Sequence, residues 1–500
     1  MLASSAFALL AIAGAQIVSP APAVFTWLIS DDGYYALTIA RRLGTTLRPT
    51  VDGVHLTSGF QPLWVALLAP FAALTGGSRE ALVRITLALH WICFATAALG
   101  VAMLARRAAA FLKAPPVDAM VLAAFLYLSN GTLLALHFNG LETGLLLALY
   151  ALIVLWLLRV DWTAHRTPVL AGIACGILLL ARVDALFFVA ALVPAACYRR
   201  PNISLPRFST ILLTVASVAL AVSSVWWLYN LTAFGKLMPQ SGAAQADYLF
   251  PPGRVYRFLR ESIPLALPLP FAWRLPGALT SIAAGLMVAA DLAAGAALVQ
   301  RIGRAPDDSR PRLALALVVT AALLACWYGL TSYAYWMYLR YSAPFVVLTL
   351  PIAAAVISKP RRSRAIVMAL VLLGGWAEAW TVHNGPRRDC LELRQFRLVD
   401  LAAERVPPQA RIGALQSGAL GFFRDEVVNL DGKVNVAALE RRNDLEAYVN
   451  EQRIDWLVDW EVLLERDLFR SASVPPGWRR VKAEEITACD GGTIAVYRRQ

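Results

Sequence analysis

The sequence predicts a polytopic α-helical membrane protein of about eleven spans, followed by a smaller mixed α/β domain outside the bilayer. Hydrophobic residues make up 58% of the chain and charged residues 16%, where a soluble domain carries about 25% charged residues. Apolar runs close to the ~20 residues that cross ~30 Å of hydrocarbon recur up to Thr381. Beyond them the text changes: residues 383–500 hold 18 Lys/Arg and 19 Asp/Glu, a near-neutral stretch long enough to fold by itself. The remaining part carries 28 basic against 14 acidic residues. Because those basic residues cluster in short loops between apolar runs, the surplus reads as membrane topology and not as a nucleic-acid surface.

The predicted spans are 3–28, 80–105, 117–136, 141–158, 168–181, 184–198, 208–229, 276–299, 313–331, 342–358 and 365–382. With the N-terminus inside, every strongly basic loop becomes cytoplasmic: Arg106/Arg107/Lys113, Arg159/Arg166, Arg199/Arg200/Arg207, Arg301/Arg304/Arg310/Arg312 and Lys359/Arg361/Arg362/Arg364. The first span lacks a basic n-region, although "SPAPA" mimics a signal-peptide cleavage site. "PLWVALLAPFAAL", from Pro62, is short for a span and contains Pro70. It reads as an interfacial helix with Trp64 at the headgroup level. The short fifth and sixth spans form a hairpin around "LARVDAL", whose Arg182 and Asp184 are costly in lipid unless they face a protein cavity.

Residues 30–79 and 230–275 and the tail then lie on the outer face, dividing the chain into a membrane module, 1–383, and an extracytoplasmic domain, 384–500. Loops of that size usually have a job. Any chemistry is expected there, on the extracytoplasmic side. No internal repeat of the kind common in transporters is visible.

"ISDDGYYALTIARRLG" places Asp31 and Asp32 just after the first span. Helix capping accounts for one aspartate, with Gly44 as the helix stop. Adjacent helical residues diverge by about 100°, so the other carboxylate is free to point into a cavity as a general base.

With that pair, "DGVHLTSGFQPLW", "NGLETGLLLALY", "LLLARVDALFF", "YNLTAFGKLMPQSG" and "YLRYSAPF" follow in an order that resembles the GT-C superfamily of integral membrane glycosyltransferases. That superfamily includes protein O-mannosyltransferases, the aminoarabinose transferase of lipid A and mycobacterial arabinofuranosyltransferases. The resemblance implies a GT-C-like bundle, a polyprenyl-phosphate sugar donor, a glycan, lipid or protein acceptor, and inversion at the anomeric carbon. Asp31 or Asp32 is then the base. A departing lipid phosphate needs fixed cations, expected to be Arg340 in "YLRYSAP", then Arg182 and Lys236; the bland alternatives are a snorkelling Arg340 and an Arg182–Asp184 ion pair.

His55, Gln61, Glu142, Asp184 and Tyr35 are the expected substrate contacts. Some relatives hold a divalent cation near the loop of Glu142, so Asp32 and Glu142 are candidate ligands for Mg2+, Mn2+ or Ca2+. The loop has one acid where a spaced pair is wanted, and no cofactor is firmly implied. Nothing resembles a zinc site or a P-loop. The rival class is a transporter or lipid flippase gated by Arg182 and Asp184.

In the tail, "ARIGALQSG", "IDWLVDW" and "TIAVYRR" read as strands, "ALERRNDLEAYVNEQ" as a helix, and Asp431-Gly432 as a turn. Its expected job is acceptor recognition or stabilisation of the membrane module. Cys93, Cys175, Cys197 and Cys326 fall in or near spans, whereas Cys390 and Cys489 are placed to form a disulfide on an oxidising face.

Overall fold

Six described helices are long and apolar enough to cross a membrane: Arg79–Phe111, Leu205–Phe234, Gly277–Arg304, Arg310–Thr331, Tyr335–Ile357 and Arg364–His383. The structure, a computed structural model, describes residues 1–198, 203–246, 251, 253–267, 269–272, 276–304, 309–360, 364–384, 386–471, 474–486 and 492–500. A further crossing is the pair Pro116–Ser129 and Gly131–Phe138, bent by 63°. Asn130 makes the bend: its backbone is extended and its side chain caps the second helix by accepting from Leu133 N–H at 2.9 Å. Glu378, buried in the last long helix, accepts the Gly131 N–H at 2.8 Å. Shorter apolar helices, Leu2–Val18, Thr143–Leu157, Arg166–Ala181 and Ala185–Cys197, stand at the remaining predicted spans.

Two expectations need correcting here. The first span does not run to residue 28: it ends by Val18, and a separate turn of helix follows at Ala21–Thr26, because Pro20 brings an extended backbone and no N–H. The Pro62–Leu74 helix is a short element, as expected, and its Trp64 faces the protein interior instead of lipid headgroups. It is fully buried, stacks on His90 with ring centroids 4.6 Å apart, and donates its indole N–H to Gly140 O at 2.9 Å.

The C-terminal part forms a five-stranded sheet: β1 (Ile412–Ala414), β2 (Val427–Asn429), β3 (Trp456–Trp460), β4 (Trp478–Glu485) and β5 (Thr493–Arg499). The order is β2-β1-β3-β5-β4, with β1 parallel to β2 and β3, and β5 antiparallel to β3 and β4. The apolar run of β3 is buried on both faces, as a strand between two helical layers must be. Leu398 and Leu401 of the Pro386–Arg405 helix cover one face, and Leu445, Tyr448 and Leu464 the other. The three expected strands are present, and β2 and β4 join them. The single expected helix is two, Val436–Glu440 and Leu445–Glu451, the second capped by Asp444. The expected Cys390–Cys489 pairing lies outside the described residues.

Candidate active site

The site is built where the sheet domain meets the Asp31–Thr46 and Pro62–Leu74 helices. Ser30 starts the first of these: its hydroxyl oxygen accepts from Gly33 N–H at 3.1 Å and its O–H donates to Asn139 O at 3.0 Å. The cap is thus Ser30, not either aspartate, and both carboxylates are free for other work. The helix also runs past Gly44 to Thr46, ending at Leu47 in the left-handed region. Gly33 cannot be replaced cheaply. A Cβ there would lie 2.2 Å from Asn139 O, so the missing side chain is what lets this helix touch the loop carrying Glu142.

Glu142 stands at the N-cap of the Thr143–Leu157 helix, but its side chain makes no capping bond. Its carboxylate is almost fully buried and accepts from Arg340 Nη2 at 2.5 and 2.6 Å. Arg182 reinforces the arrangement, with Nε 3.7 Å from Glu142 Oε1 and Nη1 donating to Arg340 O at 3.2 Å. On its other side Arg182 pairs with Asp184, which also accepts from the Tyr328 hydroxyl at 2.8 Å. Tyr328 stacks on Tyr341 at 3.7 Å, and Tyr341 donates to Gln245 at 2.9 Å. Two guanidiniums and two carboxylates in a buried network lock one another's geometry. Among the described residues Arg340 Nε is buried without a hydrogen-bond partner, a donor left over for a further acceptor.

Asp31 and Asp32 separate completely. Asp31 turns into the sheet domain, where it accepts from Gly418 N–H at 3.0 Å and Ala419 N–H at 2.8 Å. The neighbouring amides are held in the same way. Asp459 of β3 takes Leu415 and Gln416 N–H, and the Tyr35 hydroxyl takes Ser417 N–H at 3.0 Å. Five consecutive amides after β1, opening the Gly418–Phe423 helix, therefore have acceptors, three of them supplied by the membrane module. Burial pushes the Asp31 carboxyl up to about 6, against the pull of its two N–H donors, and Asp459 up to about 7.

Asp32 instead lines a cavity of about 520 Å³, open mouth included, together with Tyr35, Gln61, Trp64, Glu142, Gln245 and Arg340. The sheet domain adds Lys433 and Val434 to the wall. Lys433 Nζ lies 3.6 Å from Asp32 Oδ1 and 3.2 Å from Asp431 Oδ2. Although burial opposes it, Asp32 and Asp431 hold the Lys433 ammonium above the usual lysine range. Its turn reaches the cavity because Gly59 yields: a Cβ at Gly59 would lie 2.0 Å from Lys433 O.

Of the expected residues, Asp32, Tyr35, Gln61, Glu142 and Arg340 converge on the cavity, and Arg182 and Asp184 stand directly behind it. Lys236 does not: it is exposed and faces Glu440 at 3.5 Å. The tall apolar helix before it ends at Phe234 and turns it outward. His55 is not in the wall either, being tied to Asp52 by a 2.6 Å hydrogen bond from Nδ1 within a tight loop. Lys433 is what the sequence reading missed. A second, apolar cleft of about 470 Å³ is lined by Phe188, which closely follows Asp184 in the chain, by Pro344, Phe345 and Leu348, which closely follow Arg340, and by Leu317.

The residues do not fit a divalent cation. No group of three His, Cys, Asp or Glu side chains gathers among the described residues. Glu142 has both oxygens on Arg340, and Asp32 faces an ammonium. A dication there would sit against resident positive charge.

A family model described as a domain of unknown function, DUF8728, matches residues 388–497, which is the sheet domain. No curated relative matches the sequence. Among solved structures, ArnT from Cupriavidus metallidurans bound to undecaprenyl phosphate is similar with a TM-score of 0.56 at 13% identity, covering 98% of this chain and 97% of that one. The same protein in the apo state gives 0.54 at 13% identity and the same coverage. Arabinofuranosyltransferase AftD from Mycobacteria gives 0.48 at 16% identity, covering 99% of this chain and 39% of that one. The ArnT likeness extends over both modules, and the chain shares that fold.

Proposed function

We propose that this chain is a membrane glycosyltransferase that moves a sugar from a polyprenyl-phosphate donor to an acceptor hydroxyl, on the face of the membrane that carries the sheet domain. The observation that carries the reading is one cavity with Asp32 on one wall and Arg340 on another, in a fold shared with a protein solved with undecaprenyl phosphate bound.

The chemistry follows from charge. The acceptor O–H gives its proton to the Asp32 carboxylate while the oxygen attacks the anomeric carbon. The bond from that carbon to the phosphate oxygen breaks, and its electron pair leaves with the polyprenyl phosphate. Arg340 faces the developing anion with the donors that Glu142 does not use, and Arg182 holds Arg340 in place. The isoprenoid tail suits the apolar cleft beside Phe345 and Leu348. Gln61 and Gln245 offer hydrogen bonds to sugar hydroxyls. A single displacement inverts the anomeric centre. Nothing in this sequence of steps requires a metal.

Purified protein is to be incubated with a panel of radiolabelled polyprenyl-phosphate sugars and a membrane extract, and the labelled product identified. A new glycosidic bond is expected with at least one donor. Movement of the labelled lipid across proteoliposomes with no bond made would support transport and end the transferase reading.

A further inference from the structure

We propose that Lys433, carried into the cavity by the sheet domain, is a positioning residue for Asp32, so that residues 388–497 complete the active site and are not a covering appendage. The inference rests on the transferase reading for its chemistry, but its geometry stands alone. Asp431-Gly432-Lys433 is a tight turn, with Gly432 in the left-handed region and its N–H donated to Asn429 Oδ1 at 3.1 Å. Gln240 Nε2 donates to Gly432 O at 2.6 Å, and Gly59 packs against Lys433 O. The turn is therefore clamped from both modules, and its one long side chain is buried against Asp32.

The groups facing Asp32 explain why a cation is needed there. Asp31 and Tyr35 flank it on its own helix, Asp431 approaches from the sheet domain, Tyr341 is within electrostatic reach, and Glu142 and Arg340 share the cavity. Three of these are acids, and Arg340 is committed to Glu142. Without Lys433, the net influence on Asp32 is repulsion of its negative charge. With it, Asp32 has a cation 3.6 Å away and stays at the cavity wall.

Two readouts test this on the full-length protein. The first needs no substrate: dicyclohexylcarbodiimide labels protonated carboxyls, and mass spectrometry follows labelling of Asp32 across pH. In Lys433→Met and Lys433→Gln the labelling midpoint should move upward by about 1–3 pH units, the usual effect of one adjacent charge, and Lys433→Arg should restore it. The second is turnover of the undecaprenyl-phosphate sugar found by the panel. The acid limb of kcat should move upward by a like amount, reading as a loss of turnover at acid pH that Lys433→Arg restores, with donor KM unchanged.

An unmoved midpoint in both neutral variants, each melting like the parent protein, would overturn the proposal. So would a loss confined to donor KM, which would make Lys433 a phosphate contact. Full turnover in Asp32→Asn would remove Asp32 as base while leaving the labelling experiment able to decide the pairing.

Discussion

Asp31 and Asp32 are neighbours in sequence with opposite assignments, and substituting each alone separates them. In Asp31→Ala, the N–H groups of Gly418 and Ala419 lose their acceptor inside a buried interface. A buried donor left unpaired costs ~1–3 kcal/mol, so the pair costs roughly 2–6 kcal/mol of local stability. At ~1.4 kcal/mol per decade, that raises the opening equilibrium of residues 415–423 by ~30-fold to 10⁴-fold. Hydrogen exchange read by mass spectrometry reports this peptide directly. Asp32→Asn should leave its exchange unchanged and cut turnover by ~10²–10⁴-fold, the range for losing a general base. Unchanged exchange in Asp31→Ala, or undiminished turnover in Asp32→Asn, would refute the division of labour.

Further outcomes are expected. Glu142→Gln, which removes the charge that both Arg340 and Arg182 face, should destabilise the protein by ~3–5 kcal/mol, the cost of breaking a buried pair from one side, read as a lowered melting temperature. His55→Ala and Lys236→Ala, outside the cavity, should keep turnover within about twofold. Asp31 and Asp459, with carboxyls raised to about 6 and about 7, bind protons more tightly folded than unfolded. Their contribution is full below pH ~4 and is lost as pH rises through those values, ~3 kcal/mol for Asp31 alone. Protection of residues 412–419, corrected for intrinsic exchange, should therefore be higher at pH 5 than at pH 8, and Asp31→Asn should remove its share. Chelators should leave turnover unaltered; a metal requirement shown by loss and restoration of activity would contradict the fit of the residues.

What was legible in the chain follows from the range of the interactions. Span periodicity is local, so the bundle could be read from hydropathy, and a paired acid after the first span pointed to the segment from which Asp32 reaches the cavity. The Ser30 cap was one residue away and still displaced the aspartates, because a capping hydroxyl and a capping carboxylate look alike in sequence. Glu142, Arg182, Asp184 and Arg340 were each singled out, but their network depends on packing that brings residues 142 and 340 together. Lys433 carried no signal at all. It stands in an ordinary turn of a separate domain, and only the small side at Gly59 admits it. Lys236 failed for the opposite reason: a motif placed it near the rim, and the helix end turned it to solvent.

The five amides at 415–419 have a bearing on biogenesis. They belong to the last quarter of the chain to be synthesised, yet three of their acceptors wait on the Asp31–Thr46 helix near the start of the chain. A ribosome must finish almost the whole polypeptide before the Asp31–Thr46 helix acquires its full surroundings. A half-made molecule in the bilayer thus holds Asp32 without Lys433 and Val434, the cavity wall that the final domain adds.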